Sequence, residues 1–268
     1  MNPYLEFVQN IETGIRSARD LAVAGEAQVI ESDLKVLLFS PHPDDECIVG
    51  LLPLRLMRES GRQIINIPVT FGSNVRRQDE RAAELKNACG YLGWEIFRGM
   101  ENHRLLDVND VQRIISALQP EIIFMPHSRD WNSRHIWTHF LVVDALEKMG
   151  SDFSCHIVET EFWGAMDDPN LMVEGDAPCV ADLVAATSLH TGEVARNPYH
   201  LLLPAWMQDN VRRGGELVGG QGGAAPDFGF ATLYRLRKWQ DGEFVQVLEG
   251  GTILPMTADI NEIFGRNG

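Results

Sequence analysis

The sequence predicts an α/β layer sandwich built on a mainly parallel sheet. LKVLLFS at 34–40, IINIPVTF at 64–71 and EIIFMPH at 121–127 are nearly unbroken apolar runs, as strands buried on both faces require. Stretches of helical periodicity alternate with these runs, and glycine or proline closes the helices between them.

Taken in order, residues 4–24 form a first helix, because Leu5, Val8, Ile11, Ile15, Ala18, Leu21 and Ala22 recur at three- and four-residue steps. This extension, 1–30, is expected to pack on the core. The strand at 34–40 runs into PHPDDE at 41–46; helical spacing then spans 46–59, Gly61 stops it, and 64–71 completes a βαβ unit. A helix at 78–92 ending at Gly93, a short strand at 94–97, a helix at 107–118 ending before Pro120 and the strand at 121–127 continue the alternation. A helix at 135–149, a strand at 154–163 and helices near 180–190 and 198–213 extend it. The Gly-rich stretch 214–227 reads as a connector, with a mobile lid as the alternative. ATLYRLRKW, an Asp241-Gly242 turn and FVQVL predict a closing hairpin. The sum is one domain over 1–268: a Rossmann-like core at 31–165 and a C-terminal part, 166–268, that carries substrate loops.

Composition narrows the partners. The hydrophobic share, 44%, supports a sizeable core. Against 38 Asp and Glu stand 23 Lys and Arg, a net charge of −15, and the basic residues form no stripe beyond Arg76, Arg77 and Arg81. Nucleic acid and anionic membranes are therefore poor partners, which leaves a small molecule, with homo-oligomerisation open. No membrane span is expected. The N-terminus has no basic segment leading into an apolar run, and the four cysteines lack CxxC spacing, so a cytoplasmic protein with reduced, buried thiols is expected.

Both polar clusters follow strands directly, where ligands bind in open parallel sheets. His42, Asp44, Asp45 and Glu46 follow the first long strand; His127, Asp130, Asn132 and His135 follow the strand at 121–127. Imidazoles and carboxylates in this mixture suit zinc or another divalent transition metal, and three protein ligands would leave a position for water. Helix capping by Asp45 and Glu46 accounts for the acids, but not for His42 or the prolines on either side of it.

SPHPDDE resembles the signature of the PIG-L/LmbE-like superfamily of zinc-dependent N-acetylglucosamine deacetylases. VTFGS at 69–73, RAAELKNACGYLG at 81–93 and LQPEIIFMPHSRDWNSRH at 118–135 are similar to further segments of that family. The resemblance spans roughly 34–200. It implies Zn2+, or another divalent ion such as Fe2+, on His42, Asp45 and His135, with Asp44 as general base. The activity it implies is removal of an N-acetyl group from an amino-sugar-containing small molecule by water activated at the metal. Arg81 would reach sugar hydroxyls or an anionic substituent, unless it forms a helical ion pair with Glu84. His190, in ATSLHTGE, matches a later family histidine and is a catalytic candidate. His127 and Asp130 lie at a strand end within geometric reach of substrate, and Trp131 could stack on a sugar ring.

Departures from the family pattern are equally informative. Its second motif often reads His-Pro-Asp-His, where this chain has Asn132-Ser133-Arg134-His135, so position 132 offers only an amide, able to hydrogen-bond an oxyanion. Leu51 and Leu52 replace a usual glycine pair. The competing expectation is a noncatalytic sugar-binding relative; a phosphohydrolase would need more carboxylates, and a nucleotide-binding protein a GxGxxG. His139, one helical turn after His135, is read as structural, as is His200. Loops 98–106, 164–180 and 214–230 are expected to set specificity.

Overall fold

The computed structural model describes residues 2–97 and 103–265. Nine strands form one sheet: β1 Lys35–Ser40, β2 Gln63–Pro68, β3 Glu95–Ile96, β4 Ile122–Pro126, β5 Cys155–Thr160, β6 Leu171–Gly175, β7 Phe230–Gln240, β8 Glu243–Gln246 and β9 Thr252–Leu254. Their order is β3-β2-β1-β4-β5-β7-β6-β9, with β8 against β7. The strands from β3 to β5 are parallel, β7 is antiparallel to β5, β6 and β8, and β6 and β9 are parallel to each other.

Helices cover both faces, as the unbroken apolar strands demand. These are α2 Asp45–Ile48, α3 Leu51–Ser60, α4 Gln78–Leu92, α5 Val108–Leu118, α6 Ser133–Glu147, α7 Ala177–Ser188, α8 Thr191–Arg196 and α9 Leu203–Leu217, after α1 Leu5–Ala18. Alternate residues of β1 enter opposite cores: Val36 and Leu38 pack with Leu54, Leu85 and Leu183, whereas Leu37 and Phe39 pack with Ile115, Val142 and Leu146. The α/β three-layer sandwich expected from the sequence is observed, as is the β7–β8 hairpin around Asp241-Gly242.

Several elements differ from expectation. The helix predicted over 46–59 breaks at Gly50, where a side chain would meet Trp94 at 2.7 Å, the Glu46 carbonyl at 2.8 Å and Leu183 at 2.9 Å. The chain there passes too close to its neighbours for a Cβ. Helix α1 buries none of its residues, contrary to a packed extension; Tyr4 and Phe7 are 70% and 64% exposed. The expected specificity loop 164–180 contains β6 and the start of α7, and α9 runs to Leu217, into the predicted connector. Within loop 98–106, residues 98–102 lie outside the described residues.

One topological feature positions the site. From β1 the chain moves outward to β2 and β3, then returns to place β4 on the other flank of β1. The loops leaving β1 and β4 therefore diverge around a single crevice at the carboxyl ends of adjacent strands. PHPDDE and DWNSRH are those two loops.

Candidate metal centre

The β1 loop folds back on itself. The His42 amide donates to Asp45 Oδ2 at 2.9 Å, which places that oxygen 3.3 Å from His42 Nδ1. From the β4 loop, His135 Nε2 arrives 3.3 Å from the same oxygen, and the two imidazole centroids are 5.6 Å apart. One ligand atom from each of His42, Asp45 and His135 lies within 4.8 Å of the others. Asp45 and His135 are buried, whereas the His42 side chain is 24% exposed, which leaves one open approach.

A divalent ion suits these atoms. Asp130 Oδ2 sits 3.3 Å from His135 Nδ1, the carboxylate–histidine arrangement that in a neutral ring fixes the tautomer and turns the far nitrogen toward a ligand. That far nitrogen, Nε2, is buried without a hydrogen-bond partner among the described residues and faces a carboxylate. The pair requires a positive charge between its atoms, which a proton on the ring supplies and a divalent ion could replace. Burial pulls His135 down, yet Asp45 and Asp130 outweigh it and lift the ring to about 10, a measure of the negative field gathered here.

Asp44 stands apart from the cage. Its backbone has φ +120°, which a residue with a side chain adopts only under constraint. Glu46 Oε2 supplies part of that constraint by accepting the Asp44 amide at 2.9 Å, and Tyr199 Oη donates to Asp44 Oδ2 at 2.6 Å. Burial, with Asp45 alongside, raises Asp44 to about 7. Burial also raises Asp45, but His135 and His42 overcome it and hold that carboxyl well below its ordinary range. Adjacent acids driven in opposite directions are chemically suited to different roles, one to a cation and the other to proton transfer.

The remaining expected residues are placed as follows. Arg81 Nη2 donates to the Pro43 carbonyl at 2.8 Å and lies 3.8 Å from Asp44 Oδ1, passing Gly72 (φ +88°), where a Cβ would meet Arg81 at 2.6 Å. It does not pair with Glu84, which instead accepts from Thr191 Oγ1 and the Gly192 amide. Trp131 is 71% exposed at the rim, its indole donating to the Trp163 carbonyl at 2.7 Å. Asn132 caps α6: its side chain accepts the Arg134 amide at 2.9 Å, so only its amino group is left for a ligand.

Three placements correct expected direct contacts. Asp130 is 4% exposed and supports His135 from behind. His127 is 1% exposed, with Nε2 on the Gly164 carbonyl at 2.8 Å. His190 is fully buried with Nε2 2.7 Å from Glu46 Oε1, so it backs the residue that holds Asp44 rather than facing the crevice. Glu46, Cys47 and His190 also cluster tightly, but all three are fully enclosed and the short Glu46–His190 hydrogen bond accounts for their proximity. His139 lies outside the cage, its Nδ1 2.9 Å from the Pro126 carbonyl.

Tyr199 and Trp163 do not stand out in the sequence, although the Trp163 indole donates to Asp45 Oδ1 at 3.2 Å. Neither carries a local signal. The Asn132 cap makes its own prediction: Asn132→Ala is expected to lower unfolding free energy by about 1 kcal/mol, and Asn132→Asp to preserve it. Urea denaturation of both variants decides this, and an unaltered midpoint for the alanine variant would remove the cap from the account.

A doubly wound sheet with imidazoles and a carboxylate converging at its switch point, beside a second acid, defines an α/β protein with a candidate site for a divalent ion. Residues 37–146, a stretch that holds both loops, match the model of the family described as PIG-L, GlcNAc-PI de-N-acetylase. No curated protein matches significantly. Among solved structures, N,N'-diacetylchitobiose deacetylase from Pyrococcus horikoshii is similar at 17% identity and TM-score 0.56, covering 78% of this chain and 84% of that one. A deacetylase of teicoplanin biosynthesis, in triple-mutant form, gives 16% and 0.55 over 77% and 99%. The 4-carboxy-2-hydroxymuconate hydratase GalB from Pseudomonas putida KT2440 gives 15% and 0.57 over 76% and 95%. At these identities the likeness establishes the fold, which serves more than one reaction.

Proposed function

We propose that this protein is a divalent-metal amidohydrolase that removes an N-acetyl group from an amino-sugar-containing small molecule. The observation that carries this is the division of two neighbouring acids, with Asp45 drawn between His42 and His135 while Asp44 is held aside by Tyr199. The family match and the deacetylases among the structural neighbours support the reaction class, and the chitobiose enzyme supports an amino sugar as substrate. Free, buried cysteines are consistent with a cytoplasmic location, and no helix among the described residues is long and apolar enough to cross a membrane.

His42, Asp45 and His135 would hold the ion, and Asp130 would fix the His135 tautomer. When bound, a zinc-like ion supplies Lewis acidity toward the acyl oxygen and makes water more acidic. Asp44 removes a proton from the attacking water as the C–O bond forms at the acetamide carbon. The same carboxyl then returns that proton to the nitrogen as the C–N bond breaks, releasing acetate and a primary amine. The Asn132 amino group, left without a capping role, would donate toward the developing oxyanion, and Arg81 fixes the Pro43–Asp44 loop from the side. Trp131 offers an exposed ring face at the rim for the apolar face of a sugar.

Zinc-loaded protein should release primary amine and acetate in equal amounts from at least one of N-acetylglucosamine, its β-linked dimer or an inositol-linked N-acetylglucosamine, with chelator abolishing release. Fully loaded protein that yields neither product from any of them would contradict the reading; binding without turnover would indicate the noncatalytic sugar-binding alternative.

A further inference from the structure

Tyr199 reaches the site from the C-terminal third of the chain, 155 residues from the acid it contacts. It opens a short 3-10 turn, Tyr199–Leu202, immediately after Asn197-Pro198, and its amide donates back to the Asn197 carbonyl at 2.7 Å. Its ring packs edge-on to Trp163 with centroids 5.6 Å apart, and both Tyr199 and Asp44 are buried. Trp163 in turn holds Asp45 Oδ1, so one aromatic pair registers the metal-facing acid and its neighbour together.

The two oxygens of Asp44 are not equivalent. Oδ2 accepts the Tyr199 phenol at 2.6 Å; Oδ1 has no hydrogen bond among the described residues, its nearest cation being Arg81 Nη2 at 3.8 Å, already committed to the Pro43 carbonyl. The Asp44 backbone is pinned at φ +120° with its amide on Glu46, so side-chain rotation is the remaining freedom. We infer that Tyr199 is a positioning residue that locks this rotation and thereby selects Oδ1 as the oxygen presented to the reacting water. Burial and Asp44 push the phenol far above its usual ionisation range, so it remains a donor. The inference rests on Asp44 being the base.

Tyr199→Phe removes one oxygen and keeps the ring against Trp163. The variant is expected to bind one equivalent of zinc like the parent, to keep KM within about threefold, and to lose roughly 10- to 100-fold in kcat, the range set by a hydrogen bond to a charged group. A crystal structure of the variant should show the Asp44 carboxylate turned. Unchanged kcat, a raised KM with unchanged kcat, or a carboxylate that has not moved would each overturn the inference. If the parent hydrolyses no N-acetyl substrate, the functional reading fails separately, and the Asp44 orientation in the Tyr199→Phe crystal decides the positioning claim by itself.

Discussion

Asp44→Asn is expected to retain its metal and lose about 10²- to 10⁴-fold in kcat, the usual contribution of a positioned general base. The substitution is nearly isosteric, and His42, Asp45 and His135 keep all their contacts. Asparagine tolerates positive φ better than most residues with a side chain, so the strained backbone at φ +120° should survive the change. Its carbonyl oxygen can still accept from Tyr199, while an amino group takes the place of Oδ1 and cannot accept a proton. Steady-state amine release with metal analysis on the same preparation checks both halves. Turnover within about tenfold of the parent would move the base elsewhere.

His135→Ala should act on the other half of the site. It removes the buried imidazole that the β4 loop aims at Asp45 and leaves Asp130 without its ring partner and Asp45 with His42 alone. We expect zinc affinity to fall by more than about 100-fold and activity to follow it. Asp130→Asn touches only the far side of that ring, for which loss of a supporting partner typically costs about 10–100-fold in affinity. Competition against a chromophoric chelator ranks the three proteins. Equal loss in the two variants would erase the distinction between a ligand and its support.

The fold was legible where burial is two-sided. Strand β1 announces itself because both of its faces, Val36 with Leu38 and Leu37 with Phe39, enter cores, and no polar residue interrupts that run. Strands β6 and β9 were not, since they pair with β7 and with each other, partners that lie far along the chain. The insertion of β7 between β5 and β6 depends on that same non-local pairing. The need for glycine at position 50 comes in part from Trp94 and Leu183, which approach it only in space.

The site divides the same way. The convergence of His42, Asp45 and His135 was readable because each follows a strand end, and loops at strand ends flanking a switch point come together. Asp130 and His190 were found as residues but not in their geometry: both proved to be buried supports. Trp163 and Tyr199 lie 118 and 155 residues from the acids they hold, in segments whose composition says only that they are apolar.

Zinc-edge anomalous diffraction from crystals of the metal-loaded protein tests the central claim most directly. The account predicts a single strong peak about 2.0–2.2 Å from one nitrogen each of His42 and His135 and from an Asp45 oxygen, with Asp44 outside bonding distance. A peak ligated by Asp44, one seated on Glu46 and His190, or none between the two imidazoles would contradict it.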